Sequence, residues 1–558
     1  MEMPEYLQDK ILVLCRIISE NTNNHAKNFL TPETRSNAST DARIWGCRPA
    51  TLNPLNWHCY RFALGHHLFK HKLSPYDEKE ATLISSRHTS VQAQVSTATP
   101  NTHPLFMLPF TLLELTTQIK KLCPYKSSGS SGITNRMLQA GDAKFQSLLL
   151  LLFNGIWESH VQPTDFQLSL MQPIYKGHDK DKTDPASYRG IYLKDTLTKL
   201  FEGLLLTRLT THTELENTLT SNQLGTKPCT QTHDAIYSLI STIQYNKYTL
   251  QKLTYVAFVD YSTAYPSVHR DRLSSILLHN VIVGHMWHHL RARIHNIRLR
   301  VLHPHIQEHQ TVNILRGLPE GSRLSPTLFD IFVADLIHEL QTKFPHAVIN
   351  LAPGLQHNGT TQIWVGGLLY VDDLALMSTC PRELQAMLHV CQEWSIRNRM
   401  QINTQKTKVM AFFETPSLQK ARGGQNRPGQ SLPPFHIHAP FPILSPCSHL
   451  ITEVLQFEYL GLILDPKLTM HLATTEAIRR AAHGQSVTQT VSYSLRYDKK
   501  RSQLTPTQSL GLWKSAVLPH FFQNLCYIQS TTDVTKLQTS LNLSLARALL
   551  SMEIIQPY

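Results

Sequence analysis

Apolar residues recur along the chain at two spacings, one typical of strands and one typical of helices. Runs rich in Val, Ile, Tyr, Phe and Leu predict strands at 169–176, at 254–259, on both sides of 370–373, and in a hairpin over 458–465. Apolar residues three and four positions apart predict helices at 110–122, 194–209, 327–340, 381–398 and over most of the chain after Thr469. Thr111, followed by Glu114, predicts a capping box at the first of these helices.

Two parts of the chain have a less regular pattern. Residues 1–100 form an N-terminal region of unknown role, with a helix predicted over 6–18 and linker-like stretches rich in Asn, Thr, Ser and Pro. Residues 414–436 are rich in Pro, Gly and Ser and are predicted to be a surface insertion. The organised part of the chain therefore begins near Pro109.

Composition narrows the class of protein. The chain has 558 residues, of which 41% are hydrophobic, enough for roughly two to four domains or subdomains. Its formal net charge of +13, before 30 histidines are counted, predicts binding to nucleic acid and is also compatible with an anionic membrane surface.

The distribution of cysteines and apolar residues predicts the compartment. The nine cysteines are scattered and form no Cys-x-x-Cys pair, which argues for a reducing environment and against a disulfide framework or a structural zinc site. No secretory signal and no apolar run of about 18 residues is visible. We therefore expect a soluble intracellular protein, in nucleus and cytoplasm, without a membrane segment.

Two adjacent carboxylates, Asp372 and Asp373, lie between the apolar runs around Tyr370. The pattern predicts a β-hairpin with both acids at or beside its tip. Adjacent acids repel one another, so a hairpin tip of this kind is suited to a cation. An ordinary solvated Asp-Asp turn is the alternative, and the stretch by itself does not decide between them.

A third carboxylate, Asp260, follows the predicted strand at 254–259. A buried strand that ends on one Asp calls for a cation or a hydrogen-bond donor as partner. A loop dense in turn-forming residues follows at 315–326 and leads into an apolar helix.

In this order the segments resemble the reverse transcriptases of non-LTR (LINE-type) retrotransposons. The resemblance covers the chain from about residue 109 to near its end and rests on seven blocks: the Lys126 loop, 174–176, 188–189, 258–265, 317–326, 370–373, and 403–408 with 459–461. A single paired-Asp hairpin is weak evidence, whereas seven blocks in the family's order are strong evidence.

The resemblance implies an α+β fold shaped as a right hand, with an antiparallel palm sheet backed by helices. We expect fingers at 101–215, a palm with the catalytic core at 216–465, and a helical thumb and C-terminal region at 466–558. The reverse transcriptase domain itself is expected at about 155–465. Asp260 and Asp372 would lie side by side on neighbouring palm strands.

The same resemblance implies two Mg²⁺ ions, with Mn²⁺ as a substitute. Asp260 and Asp372 would bridge both ions and Asp373 would assist one of them. The chemistry agrees, because Mg²⁺ prefers a few hard carboxylates with phosphate oxygens, and two such ions can activate a primer hydroxyl and stabilise leaving pyrophosphate. Three unrelated turn acids are the alternative.

Other positions match the family's nucleotide-binding residues. Tyr265 would lie under the sugar and exclude a 2′-hydroxyl, and a core aromatic is the alternative. Lys176 and Arg189 would hold the triphosphate, and each could instead be a solvated surface charge. Gly317 and Gly321 would let the backbone approach template and nucleotide.

Lys406 matches a lysine that protonates departing pyrophosphate. Glu320 departs from the family's usual Gln beside the nucleotide, and a carboxylate there is unfavourable unless it is neutralised. Arg323, three residues later, is a candidate partner for it. Ser131 and Gly190 replace the usual Asp and Pro in their blocks, and aromatic residues are absent around Gly225.

The predicted function is RNA-directed DNA polymerisation on an RNA template and DNA primer with dNTPs. A catalytically inactive RNA-binding relic is one alternative, and an RNA-templated RNA polymerase is another. The residues before Pro109 are too few for the apurinic-type endonuclease of many such elements, so any nicking activity is expected from elsewhere.

Overall fold

The computed structural model describes residues 104–177, 181, 184, 187–302, 311–314, 316–350, 362–413, 436–438, 448–497, 506–522, 527 and 530–553. The predicted helix at 6–18, the rest of residues 1–100 and nearly all of the predicted insertion at 414–436 lie outside these ranges. No helix within them is long and apolar enough to cross a bilayer.

Helices and strands follow one another largely in groups along the chain, as in an α+β fold. The helices are α1 (Leu112–Lys120), α2 (Asn135–Gln139), α3 (Ala143–Ser159), α4 (Thr196–Leu215), α5 (Thr232–Tyr248), α6 (Ala264–Ser267), α7 (Arg270–His279), α8 (Gly284–His295), α9 (Ser325–Lys343), α10 (Pro381–Asn398), α11 (His471–Tyr497), α12 (Pro506–Ala516), α13 (Leu518–Phe522) and α14 (Thr531–Glu553). The capping box of Thr111 and Glu114 is present at α1, as predicted.

The strands are mostly short. They are β1 (Leu168–Tyr175), β2 (Tyr188–Lys194), β3 (Thr254–Val259), β4 (Ile297–Val301), β5 (Thr311–Ile314), β6 (Val348–Asn350), β7 (Gln362–Trp364), β8 (Gly367–Tyr370), β9 (Asp373–Ser378), β10 (Lys408–Phe412), β11 (His436–His438), β12 (Ser448–Leu450), β13 (Thr452–Glu453), β14 (Phe457–Tyr459) and β15 (Leu462–Leu464). The strands predicted at 169–176 and 254–259 and the hairpins at 370–373 and 458–465 are thereby confirmed.

The chain divides into two compact units, each built from separated segments. The first unit contains the described residues up to Ser221, Ser262–Leu336 and Ile396–Gln401. The second contains Asn222–Tyr261, Ile337–Ser395 and the chain from Ile402 onward. The chain passes from one unit to the other five times.

A four-stranded sheet in the order β2-β1-β4-β5 is the framework of the first unit. β2 and β5 pair antiparallel with their neighbours, whereas β1 and β4 run parallel. Met171, Ile297, Leu299 and Ile314 form the apolar cluster on this sheet. A second packed region surrounds α4, where the rings of Phe153, Phe110 and Phe166 contact that of Phe201.

A five-stranded sheet in the order β13-β10-β3-β9-β8 is the framework of the second unit. It is antiparallel except that β10 and β13 run parallel. All six residues of β3, at the centre of the sheet, are buried. Side chains of α5 and of the β14–β15 hairpin join the sheet's core, among them Ile243, Tyr459 and Leu462. The central strand β3 is therefore covered along its whole length, and Asp260 follows at its end.

Candidate active site

The β8–β9 hairpin presents two acids at its turn. Val371 and Asp372 form the two-residue tip, and Asp373 begins β9 opposite Tyr370. Val371 has a φ of 59°, which is strained for a β-branched residue. The turn thus holds Val371 in a backbone conformation that valine disfavours. Asp372 and Asp373 both lie at this end of the sheet.

A short segment beside β8 holds this strained turn. Leu224 N–H donates to the Leu369 carbonyl at 2.8 Å, and Leu369 N–H donates to that of Asn222 at 2.9 Å. The buried Asn222 amide donates to the carbonyls of Trp364 and Gly367, both at 3.0 Å. The segment therefore extends the edge of the sheet next to β8.

Gly225 lies directly behind the turn. A Cβ on it would lie 2.5 Å from both Val371 N and Val371 Cγ2, so glycine alone fits without a shift. In the sequence this glycine is distinguished only by the absence of aromatic residues around it. Gly225 and Val371 are 146 residues apart in the sequence, and no local pattern indicates that they are in contact.

Asp260 follows β3, the strand adjacent to β9. Val259 pairs with Leu374, so Asp260 and the Asp372–Asp373 tip lie at the same end of the sheet, as predicted. The Oδ2 atom of Asp260 is buried and makes no hydrogen bond within the described ranges. Lys406 Nζ lies 3.6 Å from it.

Lys406 is placed by a turn that is bound to the backbone of Asp260. Asn403 N–H donates to the Asp260 carbonyl at 2.8 Å, and Asp260 N–H donates to Thr407 Oγ1 at 3.2 Å. Lys406 N–H donates to Asn403 Oδ1 at 3.1 Å. The Lys406 side chain is 69% exposed, so it can leave Asp260 without disturbing the turn.

The acids share one electrostatic environment. Burial, together with the charges of Asp372 and Asp260, raises the pKa of Asp373 to about 6, against the opposing effect of Lys406. Burial also raises the pKa of Asp372, and Asp260 adds to the rise. Like charges so placed repel, and a cation among them relieves the repulsion.

This arrangement fits a divalent cation that is coordinated partly by substrate. Within the described ranges no three His, Cys, Asp or Glu side chains converge closely enough to enclose an ion by themselves. Mg²⁺ is commonly held by one or two carboxylates together with water and substrate phosphates. The buried Asp260 oxygen, without a hydrogen bond, is a hard ligand of the required type.

A groove of about 790 Å³ adjoins the acids. It is lined by Asp260, Asp373, Lys406 and Lys408 on one side and by the β14–β15 hairpin, with Tyr459 and Gly461, on the other. The lining thus combines the carboxylates of Asp260, Asp373 and Glu458 with the ammonium groups of Lys406 and Lys408.

The nucleotide-binding candidates Lys176, Arg189, Tyr265, Gly317, Glu320 and Gly321 belong to the first unit. Tyr265, on α6, stacks on Phe329 with ring centroids 5.2 Å apart. Gly317 and Gly321 have φ values of 83° and 78°, and their close contacts are to the backbone of Pro266 and Tyr192. Both positions therefore require glycine because of these protein contacts, and their close approach to template and nucleotide stays a prediction.

Glu320 and Arg323 lie in different surroundings. Burial, and to a lesser extent the charge of Glu320, raises the pKa of the partly buried Tyr192 phenol. Arg323 N–H donates to Glu202 at 2.9 Å, and its guanidinium donates to Gln118 and to the Lys199 carbonyl. The pairing of Arg323 with Glu320 stays a prediction.

Lys176 and Arg189 lie near the end of the β1–β2 pair at which the chain passes from β1 to β2. Arg189 pairs with Ile174, and Lys176 N–H donates to the Ser187 carbonyl at 2.8 Å. A Cβ on Gly190 would lie 2.7 Å from Met171 Sδ. Packing against Met171 thus accounts for glycine at this position.

Comparison with known proteins identifies the family of this chain. The family described as Reverse transcriptase (RNA-dependent DNA polymerase) matches residues 178–464, just over half of the chain. The probable RNA-directed DNA polymerase from transposon BS of Drosophila melanogaster is 26% identical over 68% of this chain and 38% of its own length. The RNA-directed DNA polymerase from mobile element jockey of Drosophila funebris is 25% identical over 70% of this chain and 40% of its own length.

Two further similarities complete the comparison. The probable RNA-directed DNA polymerase from transposon X-element of Drosophila melanogaster is 23% identical over 74% of this chain and 41% of its own length. Apo telomerase from Candida tropicalis, truncated from its C-terminal domain, aligns over 46% of this chain and 52% of its own at a TM-score of 0.33 and 11% identity, too weak a likeness to argue from. The chain spans about two fifths of the length of the curated relatives that it matches. By its family match, the chain belongs to the reverse transcriptase (RNA-dependent DNA polymerase) family, among relatives from non-LTR, LINE-type retrotransposons.

Proposed function

We propose that this chain is an RNA-directed DNA polymerase of a retrotransposon, which transfers nucleotides from dNTPs to the 3′-hydroxyl of a DNA primer on an RNA template. The observation that carries the proposal is the acid cluster: a buried Asp260 oxygen without a hydrogen bond, after the strand next to a strained turn bearing Asp372 and Asp373. A set of repelling acids at a sheet edge is costly unless it serves a cation.

Asp260 and Asp372 hold two Mg²⁺ ions in this proposal, and Asp373 assists one of them. When bound, the ions lower the pKa of the primer hydroxyl and stabilise the leaving pyrophosphate. Mn²⁺ can take the same oxygen ligands. Lys406, exposed and close to Asp260, donates a proton to the departing pyrophosphate.

The nucleotide would be held by residues of the first unit. Lys176 and Arg189 bind triphosphate oxygens, and Tyr265 excludes a ribose 2′-hydroxyl. Gly317 and Gly321 allow close approach, and Glu320 lies beside the nucleotide. In this proposal residues 101–215 are the fingers, residues 216–465 the palm, and residues 466–558 the helical thumb and C-terminal region.

Primer extension on a generic RNA template with dNTPs and Mg²⁺ tests the proposal. We expect wild-type synthesis to be abolished in Asp372→Ala while RNA binding is retained, because only the ion site is removed. Glu393→Gln is the matched control, since it neutralises a carboxylate that is 62% exposed on α10. It should keep wild-type activity.

The other outcomes choose between the alternatives. A folded wild type that binds RNA and extends no primer would identify an inactive relic, a possibility raised by Glu320. Preference for rNTPs over dNTPs would identify an RNA-templated RNA polymerase. Equal activity of wild type and Asp372→Ala would overturn the assignment of the acids.

A further inference from the structure

Arg270 makes an unusual set of contacts for a buried charge. It begins α7, five residues after Tyr265, and is 5% exposed. Its Nε donates to the Gly317 carbonyl at 2.8 Å, its Nη1 to those of Ile314 at 2.7 Å and His295 at 3.4 Å, and its Nη2 to that of Arg316 at 3.1 Å. One guanidinium thus collects four backbone carbonyls from three parts of the first unit.

Three of these carbonyls, those of Ile314, Arg316 and Gly317, lie just before or at the first residue of the Gly317–Gly321 loop. The loop's own amides are bound to the turn around Tyr265. Gly317 N–H donates to the Val268 carbonyl at 3.1 Å, and Leu318 N–H donates to that of Tyr265 at 2.9 Å. The Tyr265 backbone is therefore hydrogen-bonded to the same loop whose carbonyl groups Arg270 binds.

Side chains tighten the same connection. The Tyr265 ring stacks on Phe329 of α9, the helix that follows the loop. A Cβ on Gly317 would lie 2.5 Å from the Cα of Pro266. Loop and turn are thus packed backbone against backbone, and a movement of either displaces the Tyr265 ring.

A guanidinium is suited to this task in a way that an ammonium is not. Its five donors lie in one plane in fixed directions, whereas lysine has a single donor centre. Burial lowers the pKa of Arg270 to about 10, so it stays charged at neutral pH. Carbonyl oxygens supply the solvation that a buried cation requires.

We propose that Arg270 is a positioning residue that fixes Tyr265 and the Gly317–Gly321 loop as one element, and thereby sets dNTP affinity and the selectivity for dNTP over rNTP. The inference rests on the proposed function. In this inference Tyr265 discriminates between dNTP and rNTP, and Arg270 controls that discrimination without contacting the substrate.

Single-nucleotide kinetics on an RNA template, with the full chain, test this inference. We measure kcat and KM for a dNTP and for the corresponding rNTP in wild type, Arg270→Lys and Arg270→Gln. Both variants lose the planar fork, so the KM for dNTP should rise about tenfold, with a smaller change in kcat. The dNTP over rNTP ratio of kcat/KM should fall about tenfold.

Arg208→Lys is the matched control. Arg208 is also a buried arginine of the first unit and donates to the carbonyls of Leu105, Leu108 and Pro109. Its replacement should lower the melting temperature and leave KM and selectivity unchanged. A merely structural role of Arg270 would give the same pattern as this control.

The outcomes separate the two proposals. An active wild type with unchanged KM and selectivity in a folded Arg270 variant overturns the inference alone. A wild type that extends no primer overturns the proposed function and this inference with it. Arg270→Gln keeps two N–H donors without burying a charge, so it provides a folded variant if Arg270→Lys does not fold.

Discussion

Individual residues at the acid turn show how a strained backbone is kept in place. Val371 in the left-handed region costs about 1–3 kcal/mol, and the surrounding contacts offset that cost. Gly225 supplies the most direct of them, because its missing side chain lets Val371 approach the backbone. The geometry of Asp372 therefore depends on a residue that has no side chain.

We predict that Gly225→Ala reduces primer extension about a hundredfold, because the added methyl would displace Val371 and misplace Asp372 by a fraction of an ångström or more. Steady-state extension with dNTPs and Mg²⁺ measures the loss. Gly155→Ala is the control, because nothing lies within 4 Å of a Cβ at this position on α3. Equal activity of the two variants would contradict the role given to Gly225.

The acids could be predicted from sequence because their surroundings are local. Apolar runs on either side of Asp372 predict the hairpin, and a buried strand before Asp260 predicts its isolation. The proximity of Lys406 to Asp260 and the contact of Gly225 with Val371 could not be predicted from local pattern, because each joins distant segments through tertiary packing. The side-chain placement that decides chemistry is largely of this second kind.

At the scale of elements, the ends of helices were more predictable than the pairing of strands. The helix at 381–398 was predicted with the bounds that α10 has. The helix predicted from residue 194 begins instead at Thr196, because Lys194 pairs with Ser169 as the last residue of β2. Asp195 caps that helix by accepting from Leu197 N–H at 3.0 Å. Long-range pairing overrides the local helical pattern there.

One helix contact makes the first unit sensitive to acid. His289 of α8 is fully buried, with its ring stacked on Trp157. The Nε2 atom of Gln162 lies 3.2 Å from Nδ1 of His289, and Nε2 of His289 lies 3.0 Å from the Trp157 carbonyl oxygen. These contacts fit a neutral His289 ring protonated at Nε2. Burial lowers the pKa of His289 to about 3.

We predict that this histidine stabilises the fold fully above pH 6.5 and progressively less as the pH falls toward 3. In this range His289 becomes protonated in the unfolded chain while it stays neutral in the folded chain, so lower pH favours unfolding. Between pH 7.5 and pH 5 the loss is about 2 kcal/mol. Urea unfolding of wild type and His289→Gln at both pH values measures it. The variant should be less stable at pH 7.5 and lose less stability at pH 5.

His338→Gln is the matched control, since His338 is exposed on α9. Its free energy of unfolding should follow the wild-type pH dependence. Parallel curves for wild type and His289→Gln would refute the assignment of this loss to His289.

For the whole molecule, charge is the property most relevant to the proposed partners. A net charge of +13 suits a polyanion, and binding releases the counterions of each neutralised phosphate. We predict that affinity for a primer–template duplex falls about a thousandfold or more between 50 and 200 mM salt, as for six to ten phosphate contacts. Fluorescence anisotropy measures it.

Asp372→Ala should show the same salt slope as wild type, because the slope depends on phosphate contacts and Asp372 makes none in the proposed function. An affinity insensitive to salt would argue against binding of the duplex through its phosphates.

The division of each unit among separated segments also has a consequence during synthesis. The first unit is complete only when Gln401 has been made, and a ribosome adding roughly 5–20 residues per second takes roughly 10–40 s to reach it after Ser221. In the first part of this interval, until Val301 has been made, β1 lacks β4 as a neighbour. A nascent chain with an open strand edge is a template for pairing with other chains, so we expect its yield in cells to depend on chaperones that bind it before translation ends.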